Sequence, residues 1–247
     1  MIKEALRYLV GLGEAKVLDV DLPDGTVQTY SDKPLYNLEK HIPMVDKCIE
    51  MNTLTSLVDY IKGNIDEMAE KMVIHVIDPT TVVLFSQLND NRQREKMDRV
   101  SAVVPEFRFN NFIDQETFNI ILQSKFIDDP KTDKALLLKF AGTVEAGTVA
   151  EYGDDGVTQK ATVKTGIASK GEAIVPNPVK LRPYRTFLEV TQPVSDFIFR
   201  MKQDKYDGIN CAIFEADGGA WKIAATKSIK EYLQFELADF KQFTVIS

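Results

Sequence analysis

Four prolines, Pro176, Pro178, Pro183 and Pro193, forbid a long helix anywhere between Pro176 and Arg200. Each fixes φ near −65° and removes a backbone donor, so the run must be extended and interrupted, as an edge strand or a chain crossing between sheets. It also carries Arg182, Arg185 and Arg200 with Tyr184, Phe187, Phe197 and Phe199. A rigid segment with such side chains suits a contact surface, because it loses little conformational entropy on binding.

The rest of the chain has the make-up of a globular protein. Of 247 residues, 44% are apolar and 27% charged, enough for one large domain or two small ones. No apolar run reaches the length of a membrane span, and the charged start Met1-Ile-Lys-Glu-Ala-Leu-Arg7 is unlike a secretory signal, so a cytoplasmic location is expected. The two cysteines, Cys48 and Cys211, imply no disulfide framework and read as small hydrophobes. His41 and His75 are isolated, so no metal site is expected. The net charge of −7 argues against a protein whose whole surface binds nucleic acid. Yet between Val157 and Lys202 eight basic residues face three acidic ones, leaving −12 for the remainder. That strip is either a solvated sheet face or a surface for an acidic partner, other copies of the chain included.

In chain order, Ile2, Ala5, Leu6, Leu9 and Val10 trace one face of an amphipathic helix ended by Gly11 and Gly13. Val17 to Tyr30 reads as a short hairpin or extended arm. Thr53 caps a helix from Leu54 to Lys62 that Gly63 stops, and a second short helix is expected after Asn64. Met72 to Ile77 and Thr80 to Phe85 form a hairpin about Asp78-Pro79, and Arg99 to Val104 completes an antiparallel meander after the polar loop Asn89 to Asp98. Asp114 caps a helix to Lys125, and Asp133 opens another that is apolar on most sides and therefore buried in a core or under a partner. Beyond Val157 the period is two. Asp217-Gly-Gly219 is expected to turn one strand, Ile209 to Ala216, into the next, Ala220 to Thr226, before Ser228 caps a closing helix.

These readings give an α+β fold: antiparallel sheets built of a meander and hairpins, several packed helices, and a C-terminal half mainly β closed by one helix. The expected division is an N-terminal helix and arm over 1–34 and a single domain over 35–247, with a possible sub-boundary near 145–156.

Catalytic motifs are wanting. Gly166-Ile-Ala-Ser-Lys-Gly171 has the glycines of a phosphate loop, but Glu172 stands where lysine is required and would repel phosphate. Asp128-Asp129 and Asp154-Asp155 sit beside turn residues, where Asp serves local backbone hydrogen bonds. No cofactor is implied. The candidate partner-binding residues are Lys160, Lys164, Lys180, Arg182 and Arg185, with Tyr184 and Trp221 as stacking aromatics, although the plainer reading of Trp221 is a hairpin aromatic covering a sheet.

Leu38-Glu-Lys-His41, the Thr53 to Ile61 helix, the strand Val82-Val-Leu-Phe85, the Phe118 to Phe126 helix and Arg182-Pro-Tyr-Arg-Thr-Phe187 resemble, in order, the YfdQ-like family of phage and prophage proteins. The resemblance covers roughly residues 35 to 238, leaving Met1 to Thr29 as an addition outside it. It implies a phage-encoded accessory protein of the host cytoplasm, often from the early or recombination region, and supplies no catalytic residues. The expected function is therefore a non-enzymatic protein that self-associates, as a ring or shell if its contacts are heterologous and close. The alternatives are a single-stranded nucleic-acid-binding accessory of recombination and an inhibitor or sink for a host defence component, binding a protein or nucleotide.

Overall fold

The computed structural model describes residues 2–13, 16–21, 25, 27–32, 45, 47–68, 71–89, 92–143, 159–164, 170–175, 177–203 and 208–247. The chain divides into two units, Met1–Met44 and Val45–Ser247. The expected sub-boundary near 145–156 lies outside the described residues.

In the first unit the glycine-ended stripe forms helix α1 (Ile2–Gly13), followed by an antiparallel ribbon of β1 (Val17–Asp21) and β2 (Val27–Ser31). The ribbon is closed by the Asp32 carboxylate, which accepts the Lys16 N–H at 2.7 Å.

The second unit has two cores. Its first sheet has the order β13-β4-β5-β6-β3, made of β3 (Ile49–Met51), β4 (Met72–Asp78), β5 (Thr81–Phe85), β6 (Lys96–Ser101) and β13 (Phe243–Ile246). The centre is the expected antiparallel meander, and the two edges pair in parallel, β3 with β6 and β13 with β4. Alternation sends Ile74, Val82, Leu84 and Val100 to one face. There they meet helix α2 (Leu54–Lys62), through Leu54, Leu57 and Ile61, and helix α5 (Ala220–Glu236), through Ile229 and Leu233. Helix α2 starts as its sequence requires, with Thr53 Oγ1 accepting the Ser56 N–H at 3.1 Å. Gly63 ends it at a close approach, since a Cβ there would stand 3.0 Å from the Asp59 carbonyl. Asp78 makes the β4–β5 turn by accepting the Thr80 N–H at 2.7 Å.

The second sheet is antiparallel, order β10-β11-β12-β7, from β7 (Ile113–Asp114), β10 (Val179–Leu181), β11 (Ser195–Gln203) and β12 (Ile209–Glu215). Helices α3 (Gln115–Lys125) and α4 (Lys134–Thr143) close a core of Phe118, Leu122, Leu137, Phe140, Phe197 and Phe199 with it. A separate antiparallel ribbon joins β8 (Gln159–Lys164) to β9 (Lys170–Val175). The Asp114 carboxylate caps α3 by accepting the Thr117 N–H at 2.8 Å, and its bonds to Thr117 hold it below the usual carboxylate range. Asp114→Ala is expected to cost about 1 kcal/mol at neutral pH. The loss should shrink as pH falls through the depressed carboxylate pKa, because protonation removes the cap from the wild type as well; urea melts at pH 7 and pH 2.5 would show it.

Several expectations are corrected. Ala220 to Thr226 is not a strand, and Ser228 does not start the closing helix: α5 begins at Ala220. Gly218 and Gly219 do adopt the left-handed backbone of a tight turn, with φ of +61° and +82°. But Ala225, Ile229 and Leu233 lie at helical spacing on the core, and burial of that stripe wins. Among the described residues no second helix follows α2, because Asn64 and Glu67 take positive φ and break the chain into turns. The third meander strand starts at Lys96, three residues before the expected Arg99, since the buried residue that begins its alternation is the polar Asp98. Strands β3 and β13 are additional to the elements expected from the sequence. Helix α4 is buried on one face only, with Leu137 fully covered and Leu136 43% exposed.

Candidate functional site

The proline-punctuated segment links the two cores, and its extended course is as expected. It leaves the edge of the second sheet at Leu181 in β10, sends Phe187 and Val190 into the first core, and returns as β11 at Ser195. Two features fix this excursion. Pro183 bridges to Phe126 just beyond α3, where the Ile127 N–H bonds the Arg182 carbonyl at 2.8 Å and the Tyr184 N–H bonds the Lys125 carbonyl at 3.1 Å. Gln192, buried, then closes the loop: its Oε1 accepts the N–H groups of Arg185 and Thr186 at 2.9 and 3.1 Å. Its amide donates to the carbonyls of Thr186 and Phe187 at 3.3 and 2.8 Å. Thr186 also donates its hydroxyl to the Pro79 carbonyl of the β4–β5 turn.

Arg185 is the centre of the arrangement, and it is only 6% exposed. Its Nη1 meets Glu215 at 3.0 Å, and its Nη2 bonds Ser195 Oγ and lies 3.9 Å from Asp217. The guanidinium stacks 3.9 Å from the centre of the Trp221 ring and 5.6 Å from that of Phe197. Burial pulls its pKa down to about 10 against the opposing charges of Glu215 and Asp217, which leaves it cationic at neutral pH. Burial would push the Asp217 carboxyl up. Hydrogen bonds from Ser195, the Gly219 N–H and the Trp221 N–H, together with the Arg185 charge, outweigh it and hold the group below its usual range.

The candidate residues divide accordingly. Arg185, expected on a contact surface, lies buried in an ion-pair network. Arg182 is paired with Asp129 at 2.6 Å. Lys180 is exposed on β10, its backbone N–H bound to the Asp133 carboxylate at 2.7 Å. Lys160 and Lys164 fall on β8, where the strand is described and the side chains are not. Trp221 stands in the first turn of α5, not on a hairpin.

Tyr184, Arg185 and Trp221 come together in one cleft of about 390 Å³, whose remaining wall includes Phe107, Phe109 and Lys125. Trp221 also lines a second hollow of about 340 Å³ with Lys180 and Asp196. Spacing along the chain could not show this, because Glu215, Asp217 and Ser195, which bind Arg185, carry no sequence signal beyond the turn that Asp217 opens. Cys211 is buried on β12, and burial pushes its thiol up to about 12, far from a reactive thiolate.

Comparison with protein families, with curated proteins and with solved structures finds no match to this chain. No helix among the described residues is long and apolar enough to cross a membrane.

Proposed function

We propose that this chain is a non-enzymatic accessory protein, of the phage type its sequence resembles, that works as a homo-oligomer through its N-terminal unit. The observation that carries the reading is the exposure of apolar side chains there. Ile2 is 81% exposed and Leu6 57%, and Tyr8, Val17, Leu18, Val27 and Tyr30 are exposed as well. A twelve-residue helix and a two-stranded ribbon are each marginal in water without a surface to pack on. A second copy supplies one with matching charge. The ribbon is acidic through Asp19, Asp21 and Asp32, whereas Val157 to Lys202 of a neighbour carries the basic excess.

The internal pairing of the cleft's charges supports a structural rather than a chemical role for Arg185. It also weakens the nucleic-acid alternative, since two of the five cations proposed to track phosphates are committed to carboxylates. The test is solution mass by light scattering. The wild type is expected to form a discrete oligomer at micromolar concentration, and the variant Ile2→Asp/Leu6→Asp to fall to monomer with its circular dichroism losing no more than the contribution of α1. A wild-type monomer at 100 micromolar, on the order of the weakest affinity that could sustain such an assembly, would sink the reading.

A further inference from the structure

We propose that the Tyr184–Trp221 cleft is a binding site for a small planar aromatic anion, of which a nucleoside monophosphate is the simplest biological form. The proposal is independent of self-association.

At about 390 Å³ the cleft lies at the low end of the ~300–1,000 Å³ range of small-ligand pockets, and it sits where the two cores of the second unit meet. Its walls come from separate stretches of chain: the segment after β6, the end of α3, the proline-rich segment, and the first turn of α5. Phe107 and Phe109 hold each other edge to face at 4.5 Å, and Phe107 packs on Phe126 at 5.7 Å, so the aromatic floor is locked by the core rather than loose on the surface. Tyr184 is tied to Lys125 through its backbone, and Trp221 is held against Arg185. Fixed aromatic faces suit stacking with a flat ring.

The polar groups define the rest of the ligand. Arg185, more than nine-tenths buried, lines the cleft with its Nε lacking an acceptor among the described residues, and the buried Trp221 Nε1 lacks one there too. Both nitrogens are shielded from solvent, so a ligand in the cleft meets first the partly exposed Tyr184 and Trp221 rings and the two lysines beside them. Lys222, beside Trp221, has no carboxylate within ion-pair distance among the described residues, and its Nζ lies 5.9 Å from the indole centre. Lys125 bonds the Glu106 carbonyl with one of its three ammonium protons. These two lysines sit on the same cleft as the positive end of α5, which favours an anion further. Glu106 and Glu215 line the same cleft and limit the charge that can be accepted: a single anionic group is better matched to two lysines opposed by two carboxylates than a run of phosphates is. A mononucleotide is therefore preferred to a nucleic-acid strand.

Trp221 is the sole tryptophan of the chain, so its fluorescence reports the cleft directly. Titration of the intact protein with adenosine monophosphate is expected to quench it saturably, with Kd below about 1 mM. Adenosine should bind about tenfold more weakly, and inorganic phosphate should leave the emission unchanged. Lys222→Gln should bring the nucleotide down to the affinity of the nucleoside without altering the latter, and Tyr184→Ala should weaken both. The proposal is overturned if none of the four common nucleoside monophosphates quenches Trp221 by about 5 mM, or if Lys222→Gln leaves the nucleotide-to-nucleoside ratio unchanged. It is equally overturned if an oligonucleotide binds more tightly than the monomer with a salt slope above one phosphate.

Discussion

Arg185→Met is expected to destabilise the chain by about 3 kcal/mol, the lower end of the 3–5 kcal/mol found when one member of a buried ion pair is removed. The side chain ties β12, the α5 turn and the proline-rich segment together through Glu215, Asp217 and Ser195. Removing it strands Asp217, whose side chain is 12% exposed, and takes the guanidinium away from Trp221. Glu215 is three times as exposed and can rehydrate, which keeps the loss from the upper end of the range. At roughly 2–4 °C per kcal/mol for a chain of this size, the melting temperature should fall by about 6–12 °C, with a red shift of tryptophan emission. Because the damage is the unpaired carboxylate, Asp217→Asn in the same chain should restore about 1–2 kcal/mol. A single variant within about 0.5 kcal/mol of wild type would show that the pair contributes nothing to the joining of the two cores.

The parts of the fold that were legible in the sequence are those specified locally. Thr53 and Asp114 each sit before an apolar stripe, and both cap the helix that follows. Asp78-Pro79 between two β-rich runs makes the turn it announces. What was not legible depends on distant partners. Asp217-Gly-Gly219 satisfies a hairpin turn and a helix start equally well, and the choice is made by the core that Ala225 and Ile229 reach. Strands β3 and β13 are three and four residues long and exist through parallel pairing with β6 and β4, remote in sequence. The site follows the same rule. Its aromatic and basic residue types were visible in Tyr184, Arg185 and Trp221, whereas their convergence rests on a loop closed by Gln192 and on carboxylates thirty or more residues away.

Asp98 should make the stability of the chain fall as the pH rises from about 4 to 8. It projects from β6 with Val100 toward the first core, fully buried, and neither carboxylate oxygen has a hydrogen-bond partner among the described residues. Burial, with a smaller push from the Asp66 charge, raises its pKa to about 7. The same buried corner pushes the Tyr60 phenol well above its usual range, through burial first and then its 2.5 Å hydrogen bond to Asp66. Below about pH 4 Asp98 carries its proton in both the folded and the unfolded chain, and its contribution is at its fullest. Between about pH 4 and 7 the unfolded chain releases the proton while the folded chain keeps it, so the unfolded state binds fewer protons and stability drops as pH rises. Above about 7 both states are ionised and the loss is complete. A displacement of roughly three pH units at 1.36 kcal/mol each makes the difference between pH 4 and pH 8 about 3–4 kcal/mol. Asp98→Asn cannot ionise and loses this slope, so urea melts should find the variant gaining on wild type by that amount between the two pH values. A gap that stays constant would mean that the carboxyl is solvated or paired in the folded chain, and would remove the buried acid from the core of the first sheet.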